Sequence, residues 1–356
     1  MLKSLIILML CAGTVSSFSE FIVGADLSGL ALMEERGALY FDDGVEKDAF
    51  EIFKAHGYNT IRLRLFLDAD GRWGAVNDLE YTLKLAKRVK ENDFKLLLDL
   101  HYSDTWADPA YQHKPKVWED LPFDLLEKEV FTYTRNVIRI FKKHGYMPDY
   151  VQIGNEITPG MLWPDGRVGE KNSDASKQWT NFTDLIKAGI RGVREIDENG
   201  DVKIILHIDS GASPKVTKWF FSNLNQYDVP YDIIGLSYYP RLHGKLQGLE
   251  ENLKQIGDTF KKDVIIAETA FPHRPFNNMK HALEFPETPG GQSAFLKALT
   301  KAIQATPNNH GSGIFYWYPE AIQVKGHNVW NGGRTALFDK KGHALPALKT
   351  LAESCQ

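Results

Sequence analysis

Eight short runs of apolar and β-branched residues recur along the chain, at 21–27, 60–67, 95–101, 150–156, 203–208, 233–239, 264–268 and 313–317. Their near-continuous apolar character predicts strands buried on both faces, which is the habit of a parallel sheet. Longer amphipathic stretches separate them. In 77–91, for example, Leu79, Leu83, Ala86 and Val89 recur at helical spacing with charges opposite. Strands alternating with helices are βαβ units, and eight such units close into an α/β fold, a single (β/α)8 TIM barrel. An open doubly wound sheet is the competing architecture, but its Gly-rich phosphate fingerprint is missing. The first run leads into Gly24-Ala25-Asp26-Leu27-Ser28 instead. No linker, repeat or low-complexity tract divides the chain, so one domain is expected over residues 20–356.

Residues 1–19 break this rhythm and read as a signal peptide. Lys3 supplies a basic start, 5–12 an apolar core too short to span a bilayer, and Ser17 and Ser19 a small-residue cleavage site. Cys11 gives the segment a second reading, as a lipoprotein signal that would leave the protein lipid-anchored. Either way the protein is expected to be exported, extracellular or periplasmic. Cys11 and Cys355 are the only cysteines, so an exported mature chain would have no internal disulfide and would rely on a packed core.

Composition narrows the function more by exclusion. The 356 residues carry 42 basic and 46 acidic side chains, a net charge of -4, with no basic block. Neither nucleic acid nor an anionic membrane is implied as a partner, no protein partner is implied, and a monomer is expected. Aromatic residues make up 12% of the chain, with 8 Trp and 14 Tyr. Most will fill the core, but flat rings with a polar edge also suit the C–H faces of sugars.

The chemistry sits where the apolar runs stop. Ile153-Gly154-Asn155-Glu156-Ile157 and Ile265-Ile266-Ala267-Glu268-Thr269 each end a strand on a glutamate. The other runs end on or near Arg62 and Arg64, on Asp99 and His101, on His207 and Asp209, on Tyr239, and on Trp317. In a barrel all these C-terminal ends converge on one mouth. A strand-end salt bridge is the plain alternative for either glutamate. Two carboxyls in contrasting surroundings are nonetheless what a retaining glycosidase requires: one keeps a proton to give to the leaving oxygen, and the other stays ionised as nucleophile. Arg62 and Tyr239 are the donors expected beside Glu268, and Asn155 is placed to meet a sugar hydroxyl. A metal-dependent hydrolase would need a cluster such as His-x-His, whereas His101, His207 and His243 stand on separate segments.

Longer strings carry a resemblance: Asn59-Thr60-Ile61-Arg62-Leu63-Arg64, the eleven residues from Asp99 to Pro109 that include His101, Asp104 and Trp106, and Gln152-Ile153-Gly154-Asn155-Glu156-Ile157. To these add Gly160-Met161-Leu162-Trp163-Pro164, His207-Ile208-Asp209, Gly235-Leu236-Ser237-Tyr238-Tyr239-Pro240, Ala267-Glu268-Thr269 and Gly313-Ile314-Phe315-Tyr316-Trp317. Together they span nearly the whole chain, which resembles the arabinogalactan endo-β-1,4-galactanases of glycoside hydrolase family 53. The resemblance implies Glu156 as acid/base and Glu268 as nucleophile in a double displacement. It implies Arg62, His101, Asn155, His207, Tyr239 and Trp317 around the cleaved bond, with Asp104, Trp106 and Trp163 extending the groove; Asp209, after the fifth strand, is a further substrate-binding candidate. The implied substrate is β-1,4-galactan or type I arabinogalactan, the side chains of pectin, with no cofactor.

The chain departs from this pattern in three ways. Tyr318 stands where relatives often have a glutamate. The stretch from Phe271 to Pro289, where some relatives bind calcium, has no aspartate and offers His273, Asn277, Asn278, His281, Glu284 and Glu287, so calcium is not expected. The cysteine count leaves out the disulfide of fungal relatives, and the loop 325–334, with His327 and Trp330, is free to form an outer subsite. A mannanase, xylanase or exo-galactosidase of the same clan would keep both glutamates, and a non-catalytic glycan-binding barrel is the reading from another class.

Overall fold

The computed structural model describes residues 20–171, 173–276 and 282–355. Residues 1–19, read from the sequence as a signal peptide and including Cys11, lie outside them, as do Asn277, Asn278 and His281 of the 271–289 stretch. Eight parallel strands form a closed barrel: β1 (Ile22–Asp26), β2 (Thr60–Leu65), β3 (Lys95–Leu100), β4 (Tyr150–Ile153), β5 (Lys203–Ile208), β6 (Ile233–Ser237), β7 (Asp263–Thr269) and β8 (Gly311–Trp317). Each strand pairs with its neighbours in sequence, and β8 closes the ring on β1, with Ile22 opposite Gly313 and Asp26 opposite Trp317. Eight helices among the described residues follow the strands, α1 (Ala49–Ala55), α2 (Leu79–Glu91), α3 (Phe123–Lys143), α4 (Ala175–Arg194), α5 (Pro214–Gln226), α6 (Leu246–Thr259), α7 (Pro289–Gln304) and α8 (Pro346–Ser354), and two short ones, Leu30–Glu35 and Pro240–His243, lie in the connections after β1 and β6. This is the (β/α)8 barrel that the apolar periodicity predicts.

The helix expected over 77–91 begins at Leu79, because the Asp78 side chain caps it by accepting from the Tyr81 N–H at 2.8 Å. Its buried stripe is Thr82, Leu85, Ala86 and Val89, so Leu79 and Leu83 lie on the flank of the contact rather than at its centre.

Strand side chains alternate between the two faces of the barrel wall. Ile61, Leu63 and Leu65 face the helices in the main core, while Leu97, Ile205, Ile233, Ile265, Ala267 and Phe315 fill the lower part of the barrel as a separate apolar plug. Phe315 packs so closely over Gly24 that a Cβ there would stand 2.2 Å from its ring. Above the plug the inward positions change character to Asp26, Arg62, Arg64, Asp99, Gln152, His207 and Ser237, all buried. The barrel thus has a dry floor and a charged roof.

Two local departures from regular strand aim the glutamates. β4 stops at Ile153, three residues before the apolar run predicts, because Gly154 at φ +78° and Glu156 at φ +47° turn the backbone out of the sheet. In β7, Leu236 pairs with Ile266 and the next residue of β6, Ser237, pairs with Glu268, so Ala267 is an extra residue on that edge. A bulge of this kind reverses the alternation beyond it. Ala267 faces the plug, and Glu268, its immediate neighbour, also faces inward.

Candidate active site

The strand ends surround a cleft of about 700 Å³, lined by Trp106, Asn155, Glu156, Asp209, Tyr239, Glu268, Trp317 and Tyr318, with the residues of longer loops beyond them. Glu268 is held from two sides. Arg62 Nη1 lies 2.8 Å from its Oε1, and the Tyr239 hydroxyl donates to its Oε2 at 2.8 Å. Arg62 itself is wholly buried and also reaches Asp26 and Asp99, each at 2.9 Å, and the Asn155 Oδ1 at 2.9 Å. A buried guanidinium is stable only when its donors are so matched.

Glu156 has a neutral hydrogen-bond partner and no cation beside it among the causes that shift its pKa. Its Oε1 accepts from the Ser237 hydroxyl at 2.6 Å, and Ser237 is in turn 2.9 Å from His207 Nε2. Burial and the nearby positive charges of Arg62 hold the His207 pKa well below its usual value, so the ring is neutral. On its other side, His207 Nδ1 lies 3.1 Å from Gln152 Nε2 and 3.0 Å from Asn155 Oδ1, so both amides hold the ring in place. Asn155 is fixed by Nδ2 donating to the Ala107 carbonyl at 2.9 Å. His101 Nδ1 accepts from the Ala107 N–H at 3.2 Å, which leaves its Nε2 toward Asp99, 3.0 Å away.

These surroundings separate two identical carboxyls. Burial first, and then the charge of Glu268, raise the Glu156 pKa well above the ordinary value, with only the Ser237 hydrogen bond opposing them. Burial lifts Glu268 to about 7, while the Arg62 ion pair and the Tyr239 hydrogen bond pull it down. The pair therefore keeps its proton on Glu156 and its charge on Glu268, where a cation waits. Tyr239 is driven well above its usual pKa by burial and by both glutamates, so it remains a donor.

Of the residues singled out in the sequence, Arg62, His101, Asn155, His207, Tyr239, Glu156, Glu268 and Trp317 come together here, with Trp106 and Asp209 on the cleft wall. Asp104 and Trp163 do not line the cleft. Asp104 accepts from the backbone N–H of Asp68 at 3.1 Å and of Lys116 at 2.8 Å, bracing one loop against another. Trp163 donates from its indole to the Pro159 carbonyl at 3.0 Å, and its face is covered by Arg167 at 4.3 Å. Tyr318, in the position of the missing glutamate, accepts from Arg64 at 2.8 Å and packs beside Trp106 and Trp317.

Sequence reasoning placed Ser237 at a strand end without giving it a role, and missed Gln112, whose amide donates to the Asn155 carbonyl at 2.8 Å and braces the Asn-Glu turn. It also missed Trp73, Tyr111 and His113 on the cleft rim. An aromatic residue inside a polar turn such as 68–74 is the signal that marks Trp73. No group of three or more His, Cys, Asp or Glu side chains suited to a metal ion occurs among the described residues.

A barrel with two differently held carboxyls at its C-terminal mouth defines a glycosidase. Residues 22–351 match the family model described as glycosyl hydrolase family 53, and the chain belongs to that family. An uncharacterised protein of Niallia circulans is 40% identical, the match covering 93% of each chain. The arabinogalactan endo-β-1,4-galactanase of Cellvibrio japonicus is 32% identical over 94% of this chain and 91% of its own. Among solved structures, the GH53 catalytic domain of Ignisphaera aggregans superposes with a TM-score of 0.84 at 32% identity, covering 93% of this chain and 95% of that one.

Proposed function

We propose that this glycosidase cuts β-1,4-galactan internally by double displacement, Glu268 attacking the anomeric carbon and Glu156 exchanging the proton. The observation that carries the mechanism is the asymmetry of the pair: Arg62 and Tyr239 hold charge on Glu268, while Glu156 has only Ser237. Retention requires the carboxyls about 5–5.5 Å apart, and both line the same cleft. The galactanase relatives support the substrate.

In the first step Glu156 protonates the leaving oxygen as Glu268 closes on the sugar. Once Glu156 has lost its proton, Ser237 donates to the new carboxylate and neutral His207 donates to Ser237, so the developing charge meets a preset donor. Asn155, held by Arg62 and Ala107, faces the hydroxyl next to the anomeric carbon, and Trp317 floors the ring. Water then enters from the vacated side, gives its proton to Glu156 and frees the galactosyl group with retained configuration. Export directed by residues 1–19 would place the monomeric enzyme outside the cytoplasm, where galactan is met, and no cofactor takes part.

Glu268→Ala tests the assignment. The variant is expected to bind galactan but not turn it over, with activity on an aryl galactoside restored by azide as an α-galactosyl azide. A folded variant that azide does not rescue would argue against Glu268 as the nucleophile.

A further inference from the structure

The proton donor of a glycosidase stands on the leaving-group side, so the departing part of a bound chain runs past the loops after β4, β5 and β6, where Asp209 and Leu242 line the cleft. The other part of the chain runs the opposite way, over the loops that follow β2 and β8. At that end stands Trp73, in the single turn Arg72–Gly74 after β2. It lines the cleft, yet 77% of its surface is exposed, more than any other large hydrophobic side chain among the described residues.

Two features show that this exposure is built in. Trp73 has φ +51°, a left-handed conformation that a bulky aromatic residue adopts only at an energetic cost. Packing does not repay that cost, because the ring is in solvent. The turn around it is nevertheless fixed. The Gly71 N–H donates to the Ala75 carbonyl at 2.9 Å, the Asp70 N–H to the Asp104 carbonyl at 2.9 Å, and the Asp104 carboxylate holds the Asp68 N–H. Gly74 packs against His327 of the loop after β8, where a Cβ would stand 3.0 Å from Cε1. The Arg72 guanidinium, paired with Asp70, sits 5.9 Å from the indole centre. A braced turn thus presents a flat apolar ring to the cleft.

We propose that Trp73 is an outer stacking platform for a further galactose ring on the non-reducing side of the bound chain, a subsite that rests on the galactanase reading above. The axial O4 of a β-galactose leaves H3, H4 and H5 together on the other face, a compact C–H patch suited to an indole. In a β-1,4 chain the linkage departs from the opposite face, so stacking leaves the chain free to continue. Arg72 is placed to meet the ring hydroxyls. The platform favours long substrates over short ones without touching the reacting atoms.

The test is kcat/KM for wild type, Trp73→Ala and Trp73→Phe on β-1,4-galacto-oligosaccharides of increasing length and on the polymer. Trp73→Ala is expected to match wild type on the shortest cleaved oligomers and to lose roughly 5- to 10-fold on the longest, mostly in KM. Trp73→Phe should recover most of the loss. Equal loss at every length would assign Trp73 to holding the turn, and no loss at any length would leave it idle; either overturns the subsite. A wild-type enzyme that cleaves no galactan at all would instead overturn the galactanase reading beneath it.

Discussion

Glu156 and Glu268 carry the same functional group, and their neighbours decide what each does. An ion pair and a phenol on one side, a single hydroxyl on the other, are enough to choose which carboxyl holds the proton. The Tyr239 hydrogen bond favours the ionised form of Glu268, so its removal must raise the Glu268 pKa. In the proposed double displacement turnover needs Glu268 ionised, which it becomes as pH rises. Tyr239→Phe should therefore move the acidic limb of the kcat/KM profile to higher pH, by about one pH unit for one hydrogen bond to a charged group. The alkaline limb, which reports loss of the Glu156 proton, should move much less. An unshifted acidic limb would show that Tyr239 does not tune Glu268.

Elements add the direction that residues alone lack. The apolar runs carry β4 and β7 on to a glutamate each. They do not reveal that β4 stops at Ile153 and turns through Gly154, or that Ala267 is a bulge that swings Glu268 inward. The bulge depends on pairing with the neighbouring strand, which local sequence does not encode, and the turn on positive φ at both Gly154 and Glu156, of which only the glycine is a local signal. The same limit explains Asp104 and Trp163. Their motifs place them correctly on loops over the barrel mouth, but which way a loop side chain faces is set by partners such as Asp68, Lys116 and Arg167. Gly154→Ala tests the turn, since it puts a Cβ into φ +78° and within 2.6 Å of the Ile157 methyl. A stability loss of about 1–3 kcal/mol with a much larger loss of kcat is expected, because Glu156 would be re-aimed. Normal kcat in a destabilised variant would mean that the turn serves folding alone.

At the scale of the whole molecule, the barrel gathers eight distant strand ends into one cleft, with an apolar plug below and a matched set of charges above. That convergence is why a function could be read from scattered strings: each strand end is ambiguous alone, and closure of the barrel brings them together. The rim residues were less legible, because long loops follow no periodicity. The most direct measurement is the time course of products from linear β-1,4-galactan, followed by proton NMR and by chain length, with mannan, xylan and cellulose alongside. The account predicts mixed short galacto-oligosaccharides from the first minutes, released as the β-anomer before mutarotation. First release of the α-anomer would contradict the double displacement, and free galactose alone, or cleavage only of another polymer, would contradict the endo-galactanase assignment.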